Sequence, residues 1–140
     1  MARNNLQELE AIVNRFFKKV SLESQPESLT FRLTDFCNVQ GDIYKRYAGW
    51  AGVYYLYSDD GDVHYVGQGT TLKWGVGFRV LGNAAKFKLI EKPGMNVGII
   101  AFGEPDLCFA LALECFLIRG LSPPCNKLGK SEVGSEQPSA

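Results

Sequence analysis

The chain has 140 residues, a length that predicts one domain with a hydrophobic core of its own. Hydrophobic residues make up 46% of the sequence and charged residues 21%, which predicts a folded, soluble protein rather than a disordered one. The 15 basic and 15 acidic side chains give a formal net charge of zero, which argues against a protein that coats nucleic acid by charge alone.

The first predicted element is an amphipathic helix over residues 5–20. Its apolar side chains fall at spacings of three and four: Leu6, Leu9, Ile12, Val13, Phe16, Phe17 and Val20. We expect this stripe to dock on the core of the domain, with a contact between two copies of the chain as the less favoured use. Residues 21–28 form a polar connection, and residues 29–50 suggest only a short strand near Phe31 and a helical turn before Trp50.

A β-hairpin is predicted next, because residues 52–58 and 62–67 are rich in aromatic and β-branched types and flank a turn signal. A two-residue turn at Asp60-Gly61 would set Gly67 directly across from Tyr54, with Tyr65 as the diagonal neighbour on the same face. The missing side chain at Gly67 would leave space beside the Tyr54 ring. A three-residue turn would instead shift the register by one and split the two tyrosines between the faces.

The segment after the hairpin is rich in glycine and in basic residues. Residues 74–88 contain three glycines, so any helix there is interrupted or starts late. Residues 68–92 hold five basic side chains against one acid, Glu91; the five are Lys73, Arg79, Lys86, Lys88 and Lys92. Such a local excess suits a phosphate backbone, although a solvated helix face is the commoner cause of a mild charge run.

The last predicted elements are a strand and a helix. Residues 96–102 are almost entirely apolar and predict a buried strand. A helix then opens at Pro105-Asp106 and closes at Gly120, which agrees with the preference for Pro early and Gly late in helices. Residues 129–140 are rich in Ser, Glu, Gly and Pro and are predicted to be disordered.

Glu114 is the residue in this last helix that points to chemistry. Its neighbours three and four places away are all apolar, namely Ala110, Leu111, Leu117 and Ile118. An unpaired carboxylate near an apolar helix face costs several kcal/mol or stays protonated. An Arg partner, exposure at a cleft, or a cation would each relieve that cost, and an ion pair with Arg79 or Arg119 is the default from the residues alone.

The cysteines and the N-terminus indicate the cellular compartment of the protein. Cys37, Cys108, Cys115 and Cys125 show neither zinc-ligand spacing nor a CxxC pair, so they are predicted to be buried thiols in a reducing environment. The N-terminus lacks the apolar run of a signal peptide, and no apolar run is long enough to span a bilayer. These features predict a cytoplasmic protein without membrane association.

Five features occur in a fixed order over residues 50–128: Gly52-Val53-Tyr54, Tyr65-Val66-Gly67, Arg79, Glu114 and Asn126. This order resembles the GIY-YIG nuclease superfamily. The resemblance implies a sandwich-like α+β fold with a small, mostly antiparallel, three-stranded sheet flanked by helices, to which the N-terminal helix is an addition. It divides the chain into an N-terminal extension packing on the core (1–48), a nuclease domain (49–128) and a disordered tail (129–140).

The resemblance further implies a divalent-metal-dependent endonuclease that hydrolyses DNA phosphodiester bonds. Glu114 would hold a single Mg²⁺ or Mn²⁺, and Arg79 would hold the phosphate oxygens. Tyr54 would position or deprotonate the attacking water, while Tyr65 would bind the phosphate or the water from the opposite side. Asn126 would orient groups around the metal, although taken alone it reads as a turn residue.

The DNA contacts are expected from Gly67, Gln68, Lys73, Lys86 and Lys88. Two positions depart from the family pattern, because Gln68 stands where many members have Lys, and Asn83 stands where His or Tyr is usual. A catalytically weak or inactive nucleic-acid-binding or protein-interaction module is therefore the alternative function. Cutting both strands would require two active sites, hence a homodimer, and a partner protein could instead supply specificity.

Overall fold

The computed structural model of the protein describes residues 5–69 and 80–126. Their helices and strands are α1 (Leu6–Lys19), β1 (Glu27–Arg32), α2 (Leu33–Arg46), β2 (Ala51–Ser58), β3 (Val63–Gly69), α3 (Val80–Lys86), β4 (Met95–Phe102), a 3-10 turn (Glu104–Asp106) and α4 (Leu107–Leu121). The predicted α+β class is confirmed. Lys73 and Arg79 and the tail predicted at 129–140 lie outside the described residues.

The strands form one antiparallel sheet in the order β1-β4-β2-β3. The prediction of three strands is wrong, because β1 adds a fourth and pairs along its whole length with β4, from Glu27 opposite Ala101 to Arg32 opposite Asn96. The alternating burial of β1 explains its weak sequence signal. Only Leu29 and Phe31 turn toward the core, while the alternate residues Ser28, Thr30 and Arg32 are exposed.

The sheet carries an apolar core on each face. Helices α1 and α4 cover one side, here called the α1/α4 face, where Val53, Tyr55, Val66 and Ile100 project from the strands. Helices α2 and α3 cover the other side, here called the α2/α3 face, where Tyr54, Leu56, Val97 and Ile99 project. The apolar stripe predicted for the first helix docks on the α1/α4 face, since Leu9, Ile12, Val13 and Phe16 are all buried there.

The hairpin between β2 and β3 has the longer of the two turns that the sequence left open, yet its two tyrosines share a face. The turn has three residues rather than two: Ser58 donates its N–H to Asp62 O at 2.9 Å, and Gly61 takes a positive φ of 94°. A β-bulge at Leu56/Tyr57 then corrects the one-residue shift, leaving His64 as the extra residue. Tyr54 is therefore opposite Gly67, as predicted.

Asp106, at the start of α4, ties this helix to the segment after α1. Its carboxylate is 1% exposed and accepts the backbone N–H groups of Glu23 (3.0 Å) and Ser24 (2.9 Å) as well as the Ser24 hydroxyl (3.1 Å). These donors stabilise the charged form and hold the pKa of Asp106 below its ordinary value, against the opposing effect of burial. The carboxylate therefore cross-links two parts of the α1/α4 face.

Replacing Asp106 by Asn is expected to lower the melting temperature by several degrees at neutral pH, because the amide NH₂ would face N–H donors. A depressed pKa contributes stability above the unfolded-state value, about 4 for Asp, and that stability is lost as pH falls through the folded-state value. The gap between parent and Asp106→Asn should thus close on acidification. Thermal unfolding followed by circular dichroism across pH checks this, with the exposed Asp42→Asn as control. A gap that does not change with pH would contradict the assignment.

The cysteines depart from the prediction of buried thiols. Only Cys125 is buried, whereas Cys37, Cys108 and Cys115 are exposed. Two of the exposed thiols are on α4, whose outer side is unusually apolar for a surface helix. Within residues 5–69 and 80–126, no helix combines the length and apolar character needed to cross a membrane.

Candidate functional site

Tyr54, Tyr65 and Gly67 form one cluster on the α2/α3 face. The ring of Tyr54 lies so close over Gly67 that a Cβ atom there would be 2.6 Å from both Cζ and Oη of Tyr54 and 2.9 Å from Cε2 of Tyr65. The two tyrosine rings are 6.1 Å apart between centroids, tilted by 43°. The predicted juxtaposition of the three residues is confirmed, and glycine at position 67 is what allows it.

Asn83 contacts the Tyr54 hydroxyl directly. Its side-chain amide donates a hydrogen bond to the Tyr54 oxygen, so this oxygen is an acceptor and its own proton points elsewhere. Tyr54 is only 1% exposed, and α3 brings Asn83 over it from the first turn of the helix. The sequence marked Asn83 only as a departure from the family pattern and did not predict this contact. The spacing of one helical turn after Arg79 was the available signal.

Two of the predicted DNA-contacting lysines lie beside this cluster. Phe87 packs against Tyr65 with ring centroids 5.1 Å apart, and the Lys86 ammonium lies 5.3 Å from the centre of the Phe87 ring. Lys88 follows in a left-handed backbone conformation with φ of 60° and is exposed. The end of α3 thus carries positive charge to the rim of the tyrosine cluster.

Asn126 is placed at the outer edge of β3, next to the tyrosine cluster. Its Oδ1 accepts the N–H of Val66 at 2.8 Å, and its Nδ2 donates to Val66 O at 2.8 Å. The side chain therefore pairs with the edge strand as a short strand would, which protects an otherwise open edge. Both polar atoms of the amide are used in this contact. It is a structural role for the residue that the family resemblance assigns to metal orientation.

Glu114 lies half-buried on α4, on the opposite side of the sheet from the tyrosines. Among the described residues it has no hydrogen-bond or ion-pair partner, so the pair with Arg119 left open by the sequence is not formed. Burial raises the pKa of Glu114 above its ordinary value. The predicted position near the margin of an apolar face is confirmed.

The contacts of α4 show on which flank of the helix the Glu114 side chain lies. Phe116 and Phe109 pack against Phe16, so they mark the flank of α4 that meets α1. Helical periodicity puts Glu114 on the other flank. Because α4 packs over β2 and β3, that flank faces the β3 edge of the sheet. Glu114 and the tyrosine cluster therefore lie on the two sides of one edge strand.

Gln68 supplies a second oxygen on the α4 side of this strand. It pairs across from Val53, whose side chain belongs to the α1/α4 face. In the part of the chain that the structure describes, its Oε1 atom is buried and has no hydrogen-bond partner. A buried acceptor without a donor calls for a ligand, a water or a cation.

The donor set at this edge fits a hard divalent cation. The described residues contain no group of three or more His, Cys, Asp or Glu side chains, so a cage made only of protein ligands is not available there. A carboxylate and an amide oxygen are nonetheless ligands that Mg²⁺ takes, and Mg²⁺ keeps several waters when few protein ligands are present. Glu114 and Gln68 are thus compatible with the predicted Mg²⁺ or Mn²⁺.

Comparison of the chain with protein-family models, with curated proteins and with solved structures gives no match in any of the three. The basis for a function is therefore the order of the motif residues together with the geometry of the β3 edge.

Proposed function

We propose that the protein is a divalent-metal-dependent endonuclease that hydrolyses DNA phosphodiester bonds at the β3 edge of its sheet. The observation that carries the proposal is the Tyr54 ring lying on Gly67 beside Tyr65. This is the arrangement that the GIY-YIG resemblance requires of its two tyrosine motifs. It depends on a register that a bulge restores after a three-residue turn.

Tyr54 is the residue proposed to position the attacking water and to take its proton. A phenol oxygen that already accepts a hydrogen bond from Asn83 is held in a fixed orientation, and the same contact stabilises a phenolate. Tyr65, partly buried next to it, would bind the phosphate or the water from the other side. Arg79 remains the proposed donor to the phosphate oxygens.

Glu114 and Gln68 are proposed to hold the metal. A bound divalent ion would supply Lewis-acid stabilisation to the scissile phosphate and the leaving 3′ oxygen. The two residues contribute what such a site needs: a carboxylate that has no ion pair with any residue in 5–69 or 80–126, and a buried amide oxygen that has no donor among those residues. Coordination would remove the unfavourable burial of both groups.

DNA binding is proposed to run along the end of α3. Lys86 contacts the Phe87 ring that packs on Tyr65, and Lys88 follows two residues later, while Lys73 is proposed to extend this surface. Because the net charge of the chain is zero, few phosphate contacts are expected. The slope of log affinity against log salt concentration should therefore be shallow, near −0.9 per phosphate contacted.

A cleavage panel tests the proposal. Purified protein is incubated with supercoiled plasmid, linear duplex, flapped duplex and single-stranded DNA in Mg²⁺, in Mn²⁺ and in EDTA. We expect nicking of at least one substrate in either metal and none in EDTA. A folded protein that binds DNA but nicks none of these substrates in either metal would contradict it.

Asn83 is expected to act as a positioning residue for Tyr54. Asn83→Ala should slow cleavage by about 10-fold or more and lower stability by about 1 kcal/mol, because a buried hydroxyl loses its donor. Asn83→Asp should move the pH–rate profile to higher pH, because a carboxylate beside the phenol oxygen opposes loss of the phenol proton. Cleavage rates measured across pH check this. Unchanged profiles in both variants would show that the contact only supports the fold.

A second function is favoured by a specific observation. Tyr54 is 1% exposed with its hydroxyl engaged by Asn83, and both polar atoms of Asn126 pair with Val66. Contacts of this kind also suit a nucleic-acid-binding or protein-interaction module that keeps the scaffold without turnover. For such a module, DNA binding should persist in EDTA without any nicking in metal.

A further inference from the structure

The two edges of the sheet differ in how their backbone groups are satisfied. At the β3 edge, the Asn126 side chain pairs with the backbone N–H and C=O of Val66. At the other edge, β1 pairs only with β4, so about half of its backbone N–H and C=O groups point away from the sheet. Apart from the start of α2 at Arg32, no residue in 5–69 or 80–126 forms a hydrogen bond with these outward groups. Within that part of the chain, the β1 edge is open.

β1 also lacks the features that usually protect an edge strand. From Glu27 to Arg32 its register against β4 is continuous, without a bulge, and the strand contains neither proline nor lysine. Its two charged side chains stand at its ends and contact the rest of the protein. Glu27 accepts a hydrogen bond from the Tyr47 hydroxyl at 2.6 Å, and Arg32 donates to the Asp59 carboxylate at 2.7 Å. The middle of β1 is therefore available to pair with another strand.

An apolar groove of about 400 Å³ lies beside this edge on the α1/α4 face. Its floor is the sheet, where Ser28 and Thr30 of β1 lie next to Ile100 of β4. The side chains of Ser28 and Thr30 are small, so they leave the groove open over β1. One flank of α1 forms the apolar wall, through Leu9, Val13 and Phe17.

Helix α4 does not cover this groove. It packs on the other flank of α1, where Phe16 contacts Phe109 and Phe116. Ser28 and Thr30 remain exposed as a result. An open strand edge and an apolar groove thus adjoin each other. They meet the two requirements of β-strand addition, in which backbone hydrogen bonds give affinity and pockets for alternate side chains give specificity.

A second copy of the chain does not provide the side chains that this groove requires. Antiparallel pairing of two β1 strands about a two-fold axis continues each face of one sheet into the same face of the other. The second β1 would therefore bring its own Ser28, Thr30 and Arg32 to the groove, and these side chains are polar. The groove instead fits a strand with apolar side chains at alternate positions.

Glu10 adds a negative charge to the rim of the groove. It lines the groove and is exposed. Among the residues that the structure describes, it has no ion-pair partner. A basic side chain on the bound strand would complement this charge.

We infer that the β1 edge binds an extended segment of a partner protein, which joins the sheet as a fifth strand. Apolar side chains at alternate positions of that segment pack in the groove over Ser28 and Thr30, and a basic side chain pairs with Glu10. The site is at the opposite edge of the sheet from the tyrosine cluster. The inference does not depend on nuclease activity.

Selection from random peptides displayed on phage tests the site, with the full chain as the target and peptides of about eight residues, a little longer than a typical strand. We expect the selected peptides to alternate apolar and polar residues and to carry Lys or Arg. Fluorescence polarisation of the synthetic peptides then gives their dissociation constants. Failure to select any peptide, or selection of peptides without the alternation, would overturn the inference.

Two substitutions at exposed positions show where the peptides bind. Thr30→Arg should raise the dissociation constant by about 10-fold or more, because a long cation then lies over the groove and repels a basic peptide. Glu10→Lys should weaken binding of the same peptides and favour versions in which their basic residue is replaced by Glu. Asp42→Lys on α2 is the matched control, since it is exposed on the other side of the sheet. Binding that is unchanged in both groove variants would overturn the inference.

Methylation of backbone nitrogens in the peptide separates strand addition from binding by side chains alone. An added strand directs alternate amides toward β1 and the others toward solvent. Methylation of one alternate set should therefore abolish binding, whereas methylation of the other set should be tolerated. Equal effects of the two sets would contradict strand addition.

Two further measurements test the alternative occupants. A synthetic peptide of residues 127–140 should not compete with the selected peptides, because it has only Leu128 and Val133 as large aliphatic side chains. Competition would instead assign the groove to the chain's own C-terminal segment. Sedimentation of the full chain should show no dimer that Thr30→Arg dissociates, since such a dimer would make a second copy the occupant. Either result would overturn the inference.

Discussion

Gly98→Ala is expected to be the most destabilising small substitution in the sheet. Gly98 on β4 is opposite Tyr55 on β2, and the Tyr55 ring lies over it so closely that an added Cβ would overlap ring atoms. Tyr55 is 8% exposed, and its burial raises its pKa to about 12. Overpacking at such a site typically costs 1–3 kcal/mol, so we expect a loss of about 3 kcal/mol. For a domain of this size the melting temperature should fall by roughly 10 °C.

Two variants make the Gly98 result interpretable. Gly82→Ala is the control, because nothing lies within 4 Å of an added Cβ there and α3 should gain about 0.5–1 kcal/mol from a better helix former. In the double variant with Tyr55→Leu, the overlap is removed, so Gly98→Ala should cost less than it does alone. If Gly98→Ala melts within 2 °C or so of the parent, the close approach of the Tyr55 ring is not as described.

Glu114→Gln is expected to reduce DNA cleavage by at least about 10³-fold, on the order of the loss of one main electrostatic contact to the reacting phosphate. The amide keeps the shape of the side chain but is a far weaker ligand for a divalent cation. Cleavage rates under single-turnover conditions check this, with the exposed Glu91→Gln as control.

The stability of Glu114→Gln should not fall with its activity. A carboxyl group whose folded pKa is raised by burial destabilises the protein as pH rises through that value, so at neutral pH a neutral amide removes this cost. The variant should melt at or above the parent in EDTA. Added Mg²⁺ should raise the melting temperature of the parent but not of the variant. A variant that loses activity because it unfolds would contradict the assigned role.

The sequence predicted the hairpin well because the residues that specify it are close together in the chain. Alternating aromatic and β-branched residues around Asp59-Asp60-Gly61 specify a hairpin, and one bare glycine opposite Tyr54 specifies a face. The expectation that a three-residue turn would split the two tyrosines between the faces was wrong. The bulge at His64 restores the register, and bulges have no clear signal in a single sequence.

The sequence predicted β1 and α2 only in part, as a short strand near Phe31 and a helical turn before Trp50, and the reason is different. β1 turns only Leu29 and Phe31 toward the core, and α2 buries only Leu33, Phe36 and Ile43 over four turns. Helix α2 also carries Gly41 and Asp42, which are poor helix formers. Both elements are stabilised by packing on the α2/α3 face rather than by a strong local pattern. Tertiary contacts therefore decide their structure, and periodicity could not.

The site residues also fall into two groups: those placed by local sequence pattern and those placed by tertiary packing. The register alone predicted that Tyr54, Tyr65 and Gly67 meet. Helical spacing predicted that Glu114 lies near the margin of the apolar face of α4, but it did not predict that this face is on the other side of the sheet from the tyrosines. The contact of Asn83 with Tyr54 and the unpaired Oε1 of Gln68 depend on how α3 and α4 pack on the sheet. The contact of Asn126 with the backbone of the edge strand could not be predicted, because no sequence pattern indicates such pairing.

The rate of plasmid nicking by Tyr54→Phe relative to the parent, in saturating Mg²⁺ and with DNA binding measured in parallel, tests the proposed chemistry most directly. The variant should stay folded with a loss of about 1 kcal/mol in stability, because it loses the hydrogen bond from Asn83. Its DNA affinity should be almost unchanged, while nicking should slow by at least about 100-fold, within the usual contribution of a general base. Equal nicking rates for the two proteins would contradict a catalytic role for the tyrosine cluster, and with it the nuclease site at the β3 edge.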